Sequence, residues 1–339
     1  MLFTPPPFPD HLPDGYALIP ETLIYDPSRH LQLEFPERSW TLEEFGYSDQ
    51  EIASCASRVA VTSPFRILSD SGIRDLHQIA SDLKPYCTNL SGARVPYHLA
   101  GGVYKSKFLR DFCACPVVLE HMSKISGTPL VPHSMPSQQV YINYAPEDIS
   151  KAVDAWHFDG IGFDYVLMMS DPATLKGGNF EYFQGTKYEI ANMFNLKTHA
   201  LRYGITSALP HHRVIKTKFP GAGYGIFQQG NMVVHRAAPL LAPGDRITIV
   251  PGMVSRDCPG VDPTAKHDMP AYNEPGISAE LARHSAWIAQ AKLQRFIEGV
   301  SLSADAAVIT ADLQRAIADV ADTIEYISHQ ARSAPGNPD

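Results

Sequence analysis

The stretch DAWHFDGIGFDYVLMMSD, beginning at residue 154, places His157 and Asp159 two residues apart just ahead of an apolar, aromatic-rich run. Residues i and i+2 of an extended chain point to the same side, so the imidazole and the carboxylate can converge on one point. A metal ion is the usual reason for such convergence; a polar corner at a strand end is the alternative. The segment NMVVHRAAPLLAPGDRITIV offers a third ligand, His235, at the end of an apolar run. Two imidazoles and one carboxylate on one face of a metal leave the opposite positions open. That set selects non-haem Fe(II) and suits oxygen chemistry.

The same segment carries a second signal. Arg246 and Thr248 share one face of the strand GDRITIV, and the turn at Pro243-Gly244 lets them return toward His235. An arginine inside an apolar strand is costly unless it meets an anion. A guanidinium fork beside a hydroxyl is a good receptor for a carboxylate. A structural ion pair with a nearby carboxylate such as Glu181 is the competing reading.

His157-Phe-Asp159, His235 and Arg246-Ile-Thr248 together resemble the HxD…H…RxS/T pattern of the Fe(II)- and 2-oxoglutarate-dependent dioxygenases. The resemblance covers residues 137–254 and extends weakly to the segment before them. It implies a double-stranded β-helix (jelly roll), with His157, Asp159 and His235 holding Fe(II). It implies 2-oxoglutarate bound through Arg246 and Thr248, and O2 as the oxidant, with succinate and CO2 released. NYAPED at 143–148 is similar to the strand end where several members carry a 2-oxoglutarate-binding tyrosine, which makes Tyr144 a third co-substrate candidate. KGGNFEYF at 176–183 resembles the Gly-Gly strand start that often follows the HxD strand. The carboxylate of Asp159 argues against halogenation, because halogenating members carry a small residue there.

These residues need a scaffold of short strands, and the sequence supplies one. From 137 to 254, QQVYINY, FDYVLMMS, GNFEYF, THALRYGIT, GYGIFQQ, NMVVH and RITIV are separated mostly by Gly, Pro, Asn or Asp turns. Many short strands at such spacing predict an antiparallel sandwich or barrel. The expected class is mainly β with flanking helices (α+β), in one catalytic domain. Residues 1–40 read as an extended proline-rich arm, 41–136 as a helical region, 137–254 as the jelly-roll core and 277–330 as C-terminal helices on the core. Within 41–136, TLEE and SDQE match the capping-box pattern, and Ile73, Leu76, Ala80 and Leu83 form one helical face. Ile309, Leu313, Ile317, Val320, Ile324 and Ile327 form an apolar stripe that either packs on the strands or joins two copies as a homodimer.

Bulk properties bound the function further. The chain has 339 residues, 44% of them hydrophobic, and a net charge of −8, with no run of five Lys/Arg, so a nucleic-acid partner is not expected. Five scattered cysteines support neither a disulfide framework nor a zinc knuckle. No window of about 20 apolar residues predicts a membrane span. A cytoplasmic enzyme is expected. His133, in VPHSMP, reads as a turn residue, and His211 and His212 as exposed loop residues. The expected substrate is a small molecule, such as a free amino acid or biosynthetic intermediate, oxidised by hydroxylation, desaturation or ring closure. The alternatives are a peptide or protein side-chain hydroxylase and a cupin-like metal-binding protein without oxygenase activity.

Overall fold

The computed structural model describes residues 5–89, 94–255, 257, 260–266 and 276–333. Cys258 lies outside them. The chain before the first sheet strands is mostly extended, as proline dictates, broken by the short helix α1 (Pro27–His30). Strands β1 (Ser39–Thr41), β2 (Val59–Thr62), β3 (Phe65–Arg66), β4 (Thr88–Asn89), β5 (Tyr97–Ala100) and β6 (Leu130–Pro132) follow. Interspersed with them are α2 (Asp49–Ala53), α3 (Asp70–Leu83), α4 (Lys107–Cys113) and α5 (Pro116–Ser126). The second half adds β7 (Val140–Tyr144), β8 (Ala152–His157), β9 (Phe163–Met168) and β10 (Phe180–Phe183), then helix α6 (Lys187–Met193). Strands β11 (Val214–Thr217), β12 (Tyr224–Gln228), β13 (His235–Pro239) and β14 (Ile247–Ser255) complete the sheets, and α7 (Ile277–Gly299) and α8 (Ala306–Ser333) end the chain.

The strands form two antiparallel sheets. A ten-stranded sheet runs β1-β2-β12-β9-β14-β7-β5-β4, with β3 paired to β12 and β6 to β14; a four-stranded sheet runs β11-β10-β13-β8. Residues 41–136, expected to be helical, therefore also supply the last residue of β1 and all of β2–β6. These strands are two to four residues long, too short for alternation to register. SDQE forms the expected capping box at Ser48 and Glu51, whereas TLEE opens only a 3-10 turn over Glu43–Phe45. THALRYGIT has strand-like composition but coils as a 3-10 helix over Thr198–Tyr203, and only Ile205 bridges to Trp156. NMVV is not a strand; its last carbonyl, that of Val234, accepts from the Phe183 amide at 2.9 Å, and the strand begins at His235.

Period-two alternation assigns the faces of the large sheet. Leu99, Ile142, Tyr144, Leu167, Ile247 and Ile249 face α3–α5, packing with Leu76, Leu83, Phe108, Phe112 and Met122. The intervening residues Asn143, Val166, Thr248 and Val250 line a cavity shared with residues of the small sheet.

The C-terminal hairpin is fastened by polar contacts. Glu280 on α7 accepts from the Tyr104 hydroxyl (2.6 Å) and from the Ser137 amide and hydroxyl (2.9 and 2.7 Å). Buried Asp319 on α8 meets Lys292 at 2.6 Å and Lys266 at 3.2 Å, and Lys266 also reaches Asp322 at 3.3 Å. This polar demand turns α8. Its inward face is Ala316, Asp319, Thr323 and Tyr326, while Leu313, Ile317 and Ile324 of the expected stripe are exposed. His133, expected as a turn residue, lies in the connection after β6. It is fully buried, stacked on His284 at 4.7 Å and 3.1 Å from Thr264, while His284 pairs with Asp262 at 2.8 Å. No helix among the described residues is long and apolar enough to cross a membrane.

Asp319→Ala leaves Lys266 and Lys292 without their shared counter-ion, and breaking a buried pair this way costs about 3–5 kcal/mol. Urea unfolding should show a loss of that order, and an unchanged midpoint would contradict the fastening. Burial, aided by the charge of His284, pushes the His133 imidazole down to about 3. A depressed folded value means the contribution of His133 is complete above the unfolded pKa of about 6.5 and is lost as pH falls from there toward 3. Metal-free protein should lose on the order of a few kcal/mol over that window. His133→Asn should flatten this part of the stability profile; an identical slope would refute the assignment.

Candidate metal centre

Strand pairing brings the two imidazoles together. β8 and β13 are antiparallel neighbours in which His157 stands opposite His235, and the ring centroids are 4.2 Å apart. Asp159 lies just beyond β8, where its backbone N–H donates to the Gly230 carbonyl at 2.8 Å. One ligand atom from each of His157, Asp159 and His235 lies within 4.8 Å of the others. The structure thus gathers these three sequence-predicted residues at one point.

The hydrogen bonds select the ligating form of each ring. His157 Nδ1 is 2.7 Å from the Ala155 carbonyl, and His235 Nδ1 is 3.0 Å from the Val233 carbonyl. A carbonyl oxygen only accepts, so each Nδ1 carries the proton and each Nε2 is left with its lone pair. Those Nε2 atoms face Asp159, at 3.2 Å from Oδ1 for His157 and 3.4 Å from Oδ2 for His235. Burial pushes His157 down to about 3, reinforced by the charges of Arg94 and His235, and burial also lowers His235. Burial pushes Asp159 upward, but His235 and His157 outweigh it and hold the carboxyl below its usual range. Neutral imidazoles and an ionised carboxylate are the forms that bind a cation.

Three further acidic and amide groups surround this set, and sequence reasoning missed them. Asp154, raised to about 7 by burial, lies 3.2 Å from His157 Nδ1 and 3.3 Å from Arg94 Nε. Asp164 is wholly buried, and burial together with the charge of Asp159 raises it well above the carboxylate range. Gln228 donates from Nε2 to Asp164 Oδ1 at 2.9 Å. The signal was present, because Asp164 and Gln228 are polar residues inside apolar strands.

Arg246 is fully buried, with its side chain against the backbone of the Gly-Gly turn. Nε donates to the Gly178 carbonyl at 2.8 Å and Nη1 approaches the Thr248 hydroxyl at 3.4 Å, while Nη2 has no hydrogen-bond partner. Gly178 has φ of +67°, and a Cβ there would stand 2.8 Å from Arg246 Cδ, so only glycine fits. Burial brings Arg246 down to about 10, with Asp154 pulling back upward. Glu181 is not its partner, since that carboxylate meets Arg236 at 2.7 Å and Lys216 at 3.7 Å. Arg246, Thr248, His157, Asp159 and His235 line one cavity.

Tyr144 lies outside that cavity. Its hydroxyl donates to the Ala80 carbonyl at 2.6 Å on the helix-covered face of β7. Alternation on β7 gives the cavity Tyr141 and Asn143 instead, and Asn143 stands opposite Thr248 in register. His211 and His212 are exposed, as expected.

Residues 103–267 match the family model described as Halogenase D. A search of curated protein sequences gives no match. Similar solved structures include the non-haem α-ketoglutarate-dependent carbocyclase SnoK from nogalamycin biosynthesis, at 13% identity, covering 70% of this chain and 95% of that one, with a TM-score of 0.44. The non-haem α-ketoglutarate-dependent epimerase SnoN from nogalamycin biosynthesis has 13% identity, coverage of 61% and 83%, and a TM-score of 0.43. HygX from Streptomyces hygroscopicus, solved with nickel, 2-oxoglutarate and hygromycin B, has 12% identity, coverage of 64% and 88%, and a TM-score of 0.39.

Replacing His157, Asp159 or His235 singly by alanine should abolish tight Co(II) or Fe(II) binding while circular dichroism stays that of the parent. A variant that keeps the parent's affinity would remove that residue from the ligand set. The matched stretch contains all three together with Arg246 and Thr248, and by its motif and its site the chain is similar to the non-haem Fe(II)- and 2-oxoglutarate-dependent oxygenases.

Proposed function

We propose that the chain is a non-haem Fe(II)- and 2-oxoglutarate-dependent oxygenase, built on a double-stranded β-helix, that oxidises a C–H bond of a small molecule. The observation that carries this reading is the pairing of two features in one cavity. One is a set of two neutral imidazoles and a carboxylate; the other is a buried guanidinium whose Nη2 has no partner. His157, Asp159 and His235 would hold the iron, and three protein ligands leave positions for co-substrate and oxygen. Iron, O2 and 2-oxoglutarate would together supply the oxidising power, with succinate and CO2 as co-products.

The chain's own groups do the binding and shielding. Arg246 and Thr248 offer a guanidinium and a hydroxyl to the far carboxylate of 2-oxoglutarate, and Asn143 stands beside Thr248 on the same wall. Phe158, Ile161, Phe180 and Ala265 supply apolar wall that excludes water from the reacting centre. Arg94, paired with Asp154, and Arg202 also line the cavity, and a small molecule such as a free amino acid or biosynthetic intermediate is the substrate class proposed. Asp159 occupies the position that a halide would need, so oxidation rather than halogenation is the reading, despite the name of the matched family. Self-association through α8 belongs to the same proposal, on the strength of the exposed Leu313, Ile317 and Ile324.

Arg246→Ala tests the co-substrate. Removing one partner of a buried charge pair costs roughly 2–5 kcal/mol. The apparent KM for 2-oxoglutarate in a succinate-release assay should therefore rise about thirty- to several thousand-fold. Arg246→Lys should recover only part, because a point charge lacks the fork. Thr248→Val should cost on the order of 1 kcal/mol. An unchanged KM in Arg246→Ala would overturn the assignment even if the metal bound normally.

A further inference from the structure

We infer that Gln228, anchored by Asp164, is a positioning residue that fixes Asp159 so that one carboxylate oxygen is kept for the metal; this rests on the metal reading given above. Gln228 and Asp164 are both fully buried, on β12 and β9 of the large sheet. The Gln228 amide nitrogen reaches Asp164 Oδ1 at 2.9 Å and Asp159 Oδ2 at 3.3 Å, and stands 3.1 Å from His235 Nε2. One amide thus touches two members of the ligand set and is itself tied to a residue that belongs to neither. Asp159 Oδ1, by contrast, faces His157 Nε2 at 3.2 Å, and the hydrogen bond from Gln228 goes to Oδ2.

The backbone completes the clamp. The Asp159 N–H is held by the Gly230 carbonyl at 2.8 Å. A Cβ on Gly230 would stand 2.4 Å from Asp159 Oδ2 and 2.3 Å from Asp164 Oδ2, so this position must be empty for the two carboxyls to lie side by side. Asp159 follows the end of β8 and sits in no strand, so strand pairing does not orient its side chain. Without Gln228 the carboxylate could rotate about χ1 and χ2, or offer both oxygens to the metal and fill a position that the co-substrate needs. An oxygen already occupied by an amide N–H is a poor second ligand.

The test is a Co(II) titration of the full chain, read by competition for affinity and by the visible d–d absorption for coordination. Gln228→Met keeps the volume and removes the donor. It should weaken Co(II) binding by about 10- to 100-fold, the usual loss for such a partner, and change the band shape. Gly230→Ala perturbs the same carboxylate from the other side and should do likewise, which covers the case in which Gln228→Met does not fold. A purely structural role would lower the melting temperature of the metal-free protein and leave affinity and spectrum unchanged, and that outcome would overturn the inference. Parent protein that binds no Co(II) would instead refute the metal reading itself.

Discussion

Everything in this structure turns on keeping two imidazoles and a carboxylate, mutually within 4.8 Å, inside a protein rather than at its surface. Burial disfavours every charged form, so the arrangement is stable only if most of its members are neutral. Backbone carbonyls of Ala155 and Val233 take the Nδ1 protons, which fixes both rings as neutral lone-pair donors. Asp159 keeps its charge because His235, His157 and Arg94 outweigh the effect of its burial, and burial together with that charge pushes the neighbouring Asp164 toward its protonated form. Two carboxyls in contact cannot both ionise in a dry site, and the environment decides which one does. The geometry follows from the cross-strand pair His157–His235, so the sheet register is itself a functional constraint.

The second buried charge, Arg246, obeys the same logic with the opposite sign. Gly178, through its positive φ and missing Cβ, admits the guanidinium, and one carbonyl bond pins it. One terminal nitrogen is left unsatisfied, a cost of about 1–3 kcal/mol for a buried donor. A carboxylate accepting from Nη2 would remove that cost, so the guanidinium favours an anion at this point. The C-terminal hairpin supports this indirectly. Through Asp319 and His284 it holds the segment bearing Asp262, Thr264 and Lys266, and the Ala265 amide there bonds the Gly160 carbonyl at 2.7 Å, one residue after Asp159.

How much of this was legible in the sequence depended on cost. His157, Asp159, His235, Arg246 and Thr248 could be read because polar residues in apolar strands need a reason, and these five shared one. Asp164 and Gln228 carried the same signal, but their partners are each other and Asp159, a relation that only the pairing of β9 with β12 reveals. Tyr144 was misplaced by parity. On β7 the odd-numbered Tyr141 and Asn143 face the cavity, and the residue next to Asn143 must face the helices. His133 was hidden because its stacking partner, His284, lies about 150 residues away in sequence. The stripe on α8 misled for a different reason. Hydrophobic periodicity marks the buried face only when the facing surface is apolar, and here Lys266, Lys292 and Ser285 required Asp319 and Thr323.

The most direct measurement is anaerobic. Fe(II) is added to the metal-free protein, followed by 2-oxoglutarate, and the visible spectrum is recorded before any oxygen enters. A 2-oxo acid chelated to ferrous iron gives a weak charge-transfer band, and the account predicts that band for the parent protein. It also predicts that Asp159→Ala and His235→Ala weaken or abolish it, and that Arg246→Ala shifts it to higher 2-oxoglutarate concentration. Iron binding without any such band at saturating 2-oxoglutarate would contradict the account, because the cavity would then hold a metal but not the co-substrate proposed to pair with Arg246.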